Sequence, residues 1–358
     1  MFTPADHLFI SRALELGARG LNTTTPNPRV GCVIVRDGVI IGEGYHIRAG
    51  EPHAEIHALI TARAEVGADG LAGATCYVSL EPCNHFGRTP PCTTALIEAR
   101  LARVVAAMED PDPRVAGVGL AALRHAGIDV RCGLLRAEAE ALNIGFVSRM
   151  TRGRPWVRLR IDASGSGFAD EVARDGRAWR ARACALLTGY GSIRDDDPDF
   201  DIEAVELARK PMRALIDSQL RSPLESRLFR HHGIEAPVVV FCASEYADAA
   251  REFRAAGIEV VACANGAGKV DLQSMLVELG RRGVNELHVE AGDALNASLL
   301  REGWVDELLV YLSPGMIGPG RSMSDLPELA ALDNRLRLEF VSLESVGSDI
   351  RALARVIR

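Results

Sequence analysis

Two short stretches restrict the fold of this chain more than any others: "EPHAEIHAL" at residues 51–59 and "SLEPCNHFGRTPPCTTAL" at residues 79–96. His53 and Glu55 stand two apart just after Pro52, where the apolar spacing of Ile56, Leu59 and Ile60 predicts a helix. Cys83 and Cys92 bracket a loop that leaves a strand at Leu80 and enters a helix near Thr93. One imidazole and two thiolates make a three-ligand set for a catalytic zinc, whose fourth position stays open to water. The chemistry requires the fold to bring these side chains together.

Zinc lowers the pKa of a bound water, and hydrolytic deamination also needs a group that carries the water's proton to the departing amine. Glu55, beside the metal and not bound to it, is the candidate. A zinc serving folding alone normally takes four protein ligands, and two unrelated buried cysteines are the remaining bland reading. Zinc deaminases of nucleobases carry His-x-Glu and Pro-Cys-x-x-Cys. Here "HAE" and "PC" are present, but "NHFGRTPP" lengthens the loop between the cysteines by six residues.

The rest of the chain sets the context. At 358 residues, two domains are the natural expectation. A net charge of −7 gives no bulk reason to bind nucleic acid or a membrane surface. The opening "MFTPADHLFISRALELGARG" has no leader pattern and no segment approaches 18 apolar residues, so the expectation is a cytoplasmic protein. Cys32, Cys76, Cys132, Cys184, Cys242 and Cys263 lie in or beside apolar runs and read as core residues.

A helix over 5–20, the strands "VGCVIV" and "VIIGEGY" as a hairpin, a helix "AEIHALITARAEV", a strand "TCYVSL" and then alternating helices and strands to about 145 predict one α/β domain. The basic "SRMTRGRPW", with Arg149, Arg152 and Arg154, reads as an exposed connection, placing domains at 1–148 and 149–358. Seven further strand candidates, from "WVRLRI" to "DELLVYLSP", make the second half α/β as well.

With "TPNPRVGCVIV", "EPCNHFGRTPPC", "DPDPRVAGVGL", "RPWVRLRI", "VEAGDAL" and "VDELLVY", nearly the whole chain resembles the RibD family of bifunctional riboflavin biosynthesis proteins. The resemblance implies a cytidine-deaminase-like domain followed by one like dihydrofolate reductase. The first would deaminate a diamino-hydroxy-phosphoribosylamino-pyrimidine with zinc. The second would reduce the ribose of the product to a ribityl chain with NADPH. It also implies His53, Cys83 and Cys92 as zinc ligands and Glu55 as proton carrier, with Asn27, His46, His85 and Arg88 on the deaminase substrate. In the reductase it implies Arg180, Phe200 and Glu290 on the substrate, and Thr188, Ser192, Asp196, Ser218 and Gly292 on the cofactor. His57 is an even choice between supporting the site and packing, whereas His7, His125, His231, His232 and His288 have bland readings. The expected partners are a small molecule and further copies of the chain, without nucleic acid or membrane.

The reductase half departs from the family pattern. "SGSGF" puts Gly165 and Ser166 where leucine and aspartate are expected, Arg160 stands for a lysine, and Glu203 falls at an expected arginine. A Ser-Gly-Glu-Ser-x-Trp stretch has no counterpart before Arg180. An acidic residue repels a substrate phosphate, which keeps open a deaminase whose second domain is structural or dimerising. A nucleic-acid deaminase is disfavoured by the acidic charge and the longer cysteine loop. A non-catalytic module that binds a phosphoribosyl or dinucleotide ligand is the third reading.

Overall fold

The computed structural model describes residues 1–86, 90–162, 170–200, 202, 209–230, 237–244, 247–313 and 337–357. The chain divides into two compact units, Met1–Gly153 and Arg154–Arg358. Arg88, Gly165, Ser166, Glu203, His231 and His232 lie outside the described residues.

The first unit is a five-stranded sheet in the order β2-β1-β3-β4-β5, built from β1 (Gly31–Arg36), β2 (Val39–Tyr45), β3 (Thr75–Val78), β4 (Arg103–Ala106) and β5 (Asp129–Cys132). β1 runs antiparallel to both β2 and β3, while β3, β4 and β5 are parallel. One face packs α2 (Ala54–Val66), α3 (Cys92–Glu98) and α4 (Val118–His125); the other packs α1 (Pro4–Ala18) and α5 (Arg136–Leu142).

α2 seats differently from the sequence expectation. Ile60 is exposed and Ile56 half-buried, and the buried face is Ala54, Ala58, Leu59 and Ala62. The reason lies in "GEG" of β2. A Cβ on Gly42 would sit 2.3 Å from the Ala58 carbonyl oxygen, and one on Gly44 would sit 2.5 Å from the Ala54 carbonyl oxygen. Small residues on both elements let helix and strand meet almost backbone to backbone, which fixes where α2 begins.

α1 is tied down by Asp6, buried although acidic. Its carboxylate accepts from the Thr3 amide, the Tyr77 hydroxyl and both terminal nitrogens of Arg103. The Arg103 guanidinium, foremost, holds the Asp6 carboxyl well below the usual carboxylate range. A depressed folded pKa means the stabilisation is full above the unfolded value of about 4 and is lost as pH falls through the folded value. Asp6→Asn is expected to cost roughly 2 kcal/mol at neutral pH, with the gap to wild type narrowing below pH about 4; urea unfolding by circular dichroism at both pH values checks it.

The basic stretch before the second unit is exposed from Thr151 to Gly153 but buried at Arg154. Arg149 and Arg152 lie on α6 (Ile144–Arg152), which ends at Gly153 with φ 69°. Arg154 is buried, paired to Asp306 through two contacts of 2.7 and 2.9 Å. Cys132 and Cys263 are half-buried instead of core, being at strand ends.

The second unit has a nine-stranded sheet, β10-β9-β8-β7-β11-β6-β12-β14-β13. Its parallel part comprises β6 (Trp156–Asp162), β7 (Ala185–Gly189), β8 (Met212–Ile216), β9 (Val238–Cys242), β10 (Glu259–Ala262), β11 (Glu286–Val289) and β12 (Glu307–Leu312). The hairpin β13 (Arg337–Val346) and β14 (Asp349–Ile357), for which no strand was expected, adds to β12 antiparallel. α10 (Leu272–Arg281) and α11 (Asp293–Arg301) bury one face in an apolar cluster, and α9 (Ala247–Ala255) packs on the other. Also on this second face, above β11 and β6, side chains of α7 (Asp170–Arg182) meet a charged layer.

Candidate active sites

In the first unit, His53 is the residue that caps α2 and Cys92 is the first residue of α3, so two helix starts converge on the loop bearing Cys83. His53 Nδ1 lies 3.4 Å from Cys83 Sγ and 3.3 Å from Cys92 Sγ, and the three ligand atoms fall within 4.8 Å of one another. Tetrahedral zinc with Zn–S about 2.3 Å and Zn–N about 2.0 Å separates such atoms by about 3.5–3.8 Å. The donor set therefore fits zinc, in number, chemistry and spacing. Cys92 and His53 together lower the Cys83 thiol towards its thiolate.

Glu55 points inward from the first turn of α2, 3 % exposed. Burial, with the Cys83 charge behind it, pushes its carboxyl up to about 7. His46 is buried with its ring edge-on to His53, centroids 5.4 Å apart. Its Nδ1 is 3.1 Å from the Pro52 carbonyl, an acceptor, so that nitrogen carries the proton. The bare Nε2 then accepts from Asn27 Nδ2 at 3.1 Å. Asn27, His46 and His53 are thus one linked group. His85 is exposed on the cysteine loop, and His57 is half-buried with Nε2 unpartnered among the described residues.

Glu81, two residues before Cys83, is an addition that sequence reading did not single out. Its buried carboxylate accepts from the backbone amides of Asp110, Gly117, Gly119 and Leu120 at 2.8–3.1 Å. It fastens the start of the cysteine loop to the "DPDPRVAGVGL" segment. A Cβ on Gly119 would lie 2.0 Å from the Pro82 carbonyl oxygen, so that glycine is needed for the approach. An acidic residue beside a Pro-Cys turn and a glycine-bearing loop was the available signal. Glu81→Ala strands four amides and is expected to cost roughly 2–3 kcal/mol, read as a lower calorimetric melting temperature.

In the second unit, Arg180 grips Glu290 through contacts of 2.8 and 2.7 Å, and its guanidinium lies over the Phe200 ring, 5.7 Å from the centroid. The three residues expected on the reductase substrate are therefore together. Thr188 is the last residue but one of β7, with Oγ1 buried and unpartnered among the described residues. Gly292 precedes α11, and its nearest neighbour, for an added Cβ, is Ser192 Oγ at 3.8 Å. An open helix start and an unsatisfied hydroxyl at the C-terminal ends of parallel strands are what a nucleotide cofactor uses. Asp196 is exposed after α8 (Tyr190–Asp195). Ser218 is engaged elsewhere, its Oγ accepting from the Val270 amide and its carbonyl from the Ala243 amide. Arg160 pairs with Asp162 and Glu290.

A family model for the cytidine and deoxycytidylate deaminase zinc-binding region matches residues 4–108, and one for the RibD C-terminal domain matches 162–352. The riboflavin biosynthesis protein RibD of Escherichia coli strain K12 is 41% identical over 371 residues, spanning 96% of this chain and 98% of that protein. The chain belongs to the RibD family. The RibD of Haemophilus influenzae is 38% identical, with 98% and 97% of the two chains covered. The structure of Acinetobacter baumannii RibD superposes with a TM-score of 0.85 at 32% identity, covering 99% of each chain. A diaminohydroxyphosphoribosylaminopyrimidine deaminase/5-amino-6-(5-phosphoribosylamino)uracil reductase from Thermotoga maritima superposes with a TM-score of 0.84 at 30% identity and the same coverage. As in other RibD proteins, a zinc-dependent deaminase is joined to an NADPH-dependent reductase in riboflavin biosynthesis, and the two-activity reading prevails over the single-activity one.

Proposed function

We propose that the first unit deaminates a diamino-hydroxy-phosphoribosylamino-pyrimidine and that the second reduces the ribose of the product to a ribityl chain. The observation that carries the reading is the convergence of His53, Cys83 and Cys92 beside the buried Glu55. Zinc, when bound, supplies a Lewis acid that makes water nucleophilic near neutral pH. Glu55 removes a proton from the attacking water and passes it to the amine, which leaves as ammonia while the ring keeps the oxygen. Asn27 and His46 orient the pyrimidine, and His85 and, by the family resemblance, Arg88 would contact it.

NADPH, when bound, supplies the hydride that adds to the open-chain sugar carbonyl. Thr188, Ser192 and Gly292 would hold it, with Asp196 and Ser218 in outlying roles. Glu290, Arg180 and Phe200 would meet the substrate. Among the described residues no helix is long and apolar enough to cross a membrane. The proposal includes a cytoplasmic homo-oligomer that does not act on nucleic acid; Leu338, Phe340 and Leu343, exposed on the edge strand β13, support assembly.

The test supplies purified protein with the pyrimidine substrate and saturating NADPH. Ammonia release followed by an equivalent loss of NADPH is expected. Ammonia without NADPH consumption would defeat the proposed second substrate, and no ammonia the first.

A further inference from the structure

His288 has no part in the chemistry above, yet it is fully buried against the carboxylate proposed to meet the sugar. Three donors from three elements converge on Glu290. Arg180 of α7 reaches both oxygens; Arg160 of β6 reaches Oε1 at 3.4 Å; His288 Nε2 on β11 reaches Oε1 at 3.0 Å. Among the described residues, Oε1 thus carries three contacts and Oε2 one.

The groups around the ring decide its protonation. Arg158 stands opposite in register on β6, with Arg160 two residues further, Leu186 lies alongside on β7, Glu286 precedes it on β11 and Glu290 follows just past the end of that strand. Burial, aided by Arg158 and Arg160, lowers the ring's pKa against the pull of Glu290. In the neutral ring one nitrogen donates, and facing a carboxylate it must be Nε2. Nδ1 is then a bare acceptor, buried and unpartnered among the described residues. A buried nitrogen without a partner lowers stability relative to an apolar side chain of similar size. Stability therefore gives no reason for histidine here, whereas the contact with Glu290 does.

We infer that His288 is a positioning residue of the reductase: with Arg160 and Arg180 it pins Oε1 of Glu290, leaving Oε2 to accept a hydroxyl of the substrate's sugar. The inference rests on the reading that Glu290 meets the substrate.

The test compares His288→Leu, His288→Gln, His288→Asn and Glu290→Gln in the full chain, following NADPH oxidation on the deaminated pyrimidine, with tryptophan fluorescence of the same preparations, whose three tryptophans all lie in the second unit, as the check on folding. His288→Leu is expected to raise the KM for the pyrimidine about ten-fold with little change in kcat or in the KM for NADPH. Glutamine, whose amide nitrogen reaches as far as Nε2, should restore most of the loss; asparagine, too short, should not. If Leu does not fold, the contrast between Gln and Asn still decides. Equal defects in Gln and Asn, or a fall in kcat with KM unmoved, would mark a structural role and overturn the inference. A His288→Leu enzyme within two-fold of wild type beside a crippled Glu290→Gln would overturn it while sparing the role of Glu290. A Glu290→Gln enzyme within two-fold of wild type would remove the underlying reading.

Discussion

Glu55→Gln should reduce ammonia release by about 10²–10⁴-fold while zinc content stays at one per chain. The substitution keeps the size of the side chain in the tight first turn of α2 and leaves His53, Cys83 and Cys92 untouched. What it removes is an acceptor for the water's proton, and a carboxamide cannot hand a proton on to a leaving amine. Metal analysis alongside the assay separates this role from ligation: if the variant loses its zinc, Glu55 is a ligand and the three-residue set is wrong. NADPH oxidation on substrate that is already deaminated should be unaffected, since Glu55 belongs to the first unit.

The largest expected loss of stability is at Arg158, which is 1 % exposed. Its guanidinium contacts Glu307 at 2.6 Å and Glu286 at 3.1 Å and lies over the Trp179 ring, 4.6 Å from the centroid. Removing one member of a buried ionic group costs about 3–5 kcal/mol, because the remaining charges stay buried. Arg158→Met should fall in that range. Glu286 keeps its 2.9 Å contact with Arg182, so most of the damage comes from Glu307. The double variant Arg158→Met/Glu307→Leu should accordingly recover a substantial part of the loss, a coupling that a double-mutant cycle measures. All three tryptophans, Trp156, Trp179 and Trp304, lie in the second unit. Fluorescence during urea unfolding therefore reports on this unit alone; no coupling between the two substitutions would show that the pair is incidental.

Much of this architecture was legible because local patterning and topology agree. The hairpin and α2 are written as Val/Ile runs around "RDG" and as a helix following Pro52, and the metal ligands follow a spacing that zinc chemistry restricts. What escaped was set by tertiary packing. Ile56 and Ile60 look like the buried face of α2, but Gly42 and Gly44 draw the alanine face inward instead. Arg154 looks like linker because nothing local announces Asp306, 152 residues away. Glu81 and His288 are ordinary residues in sequence, and their roles arise from partners supplied by distant loops and strands. The hairpin β13–β14 alternates too weakly on its largely exposed outer strand to be read as sheet.

The close seating of α2 on β2 bears on how the protein treats its metal. His53 and Glu55 are placed by backbone contacts at Gly42 and Gly44, and Cys92 by a helix whose Leu96 is fully buried in the same core. In a zinc finger the ion drives the fold, and chelation unfolds it. Here the apolar core sets the ligand geometry, so a chelator should silence deamination in a chain that stays folded, and restoring the ion should bring activity back without a refolding step.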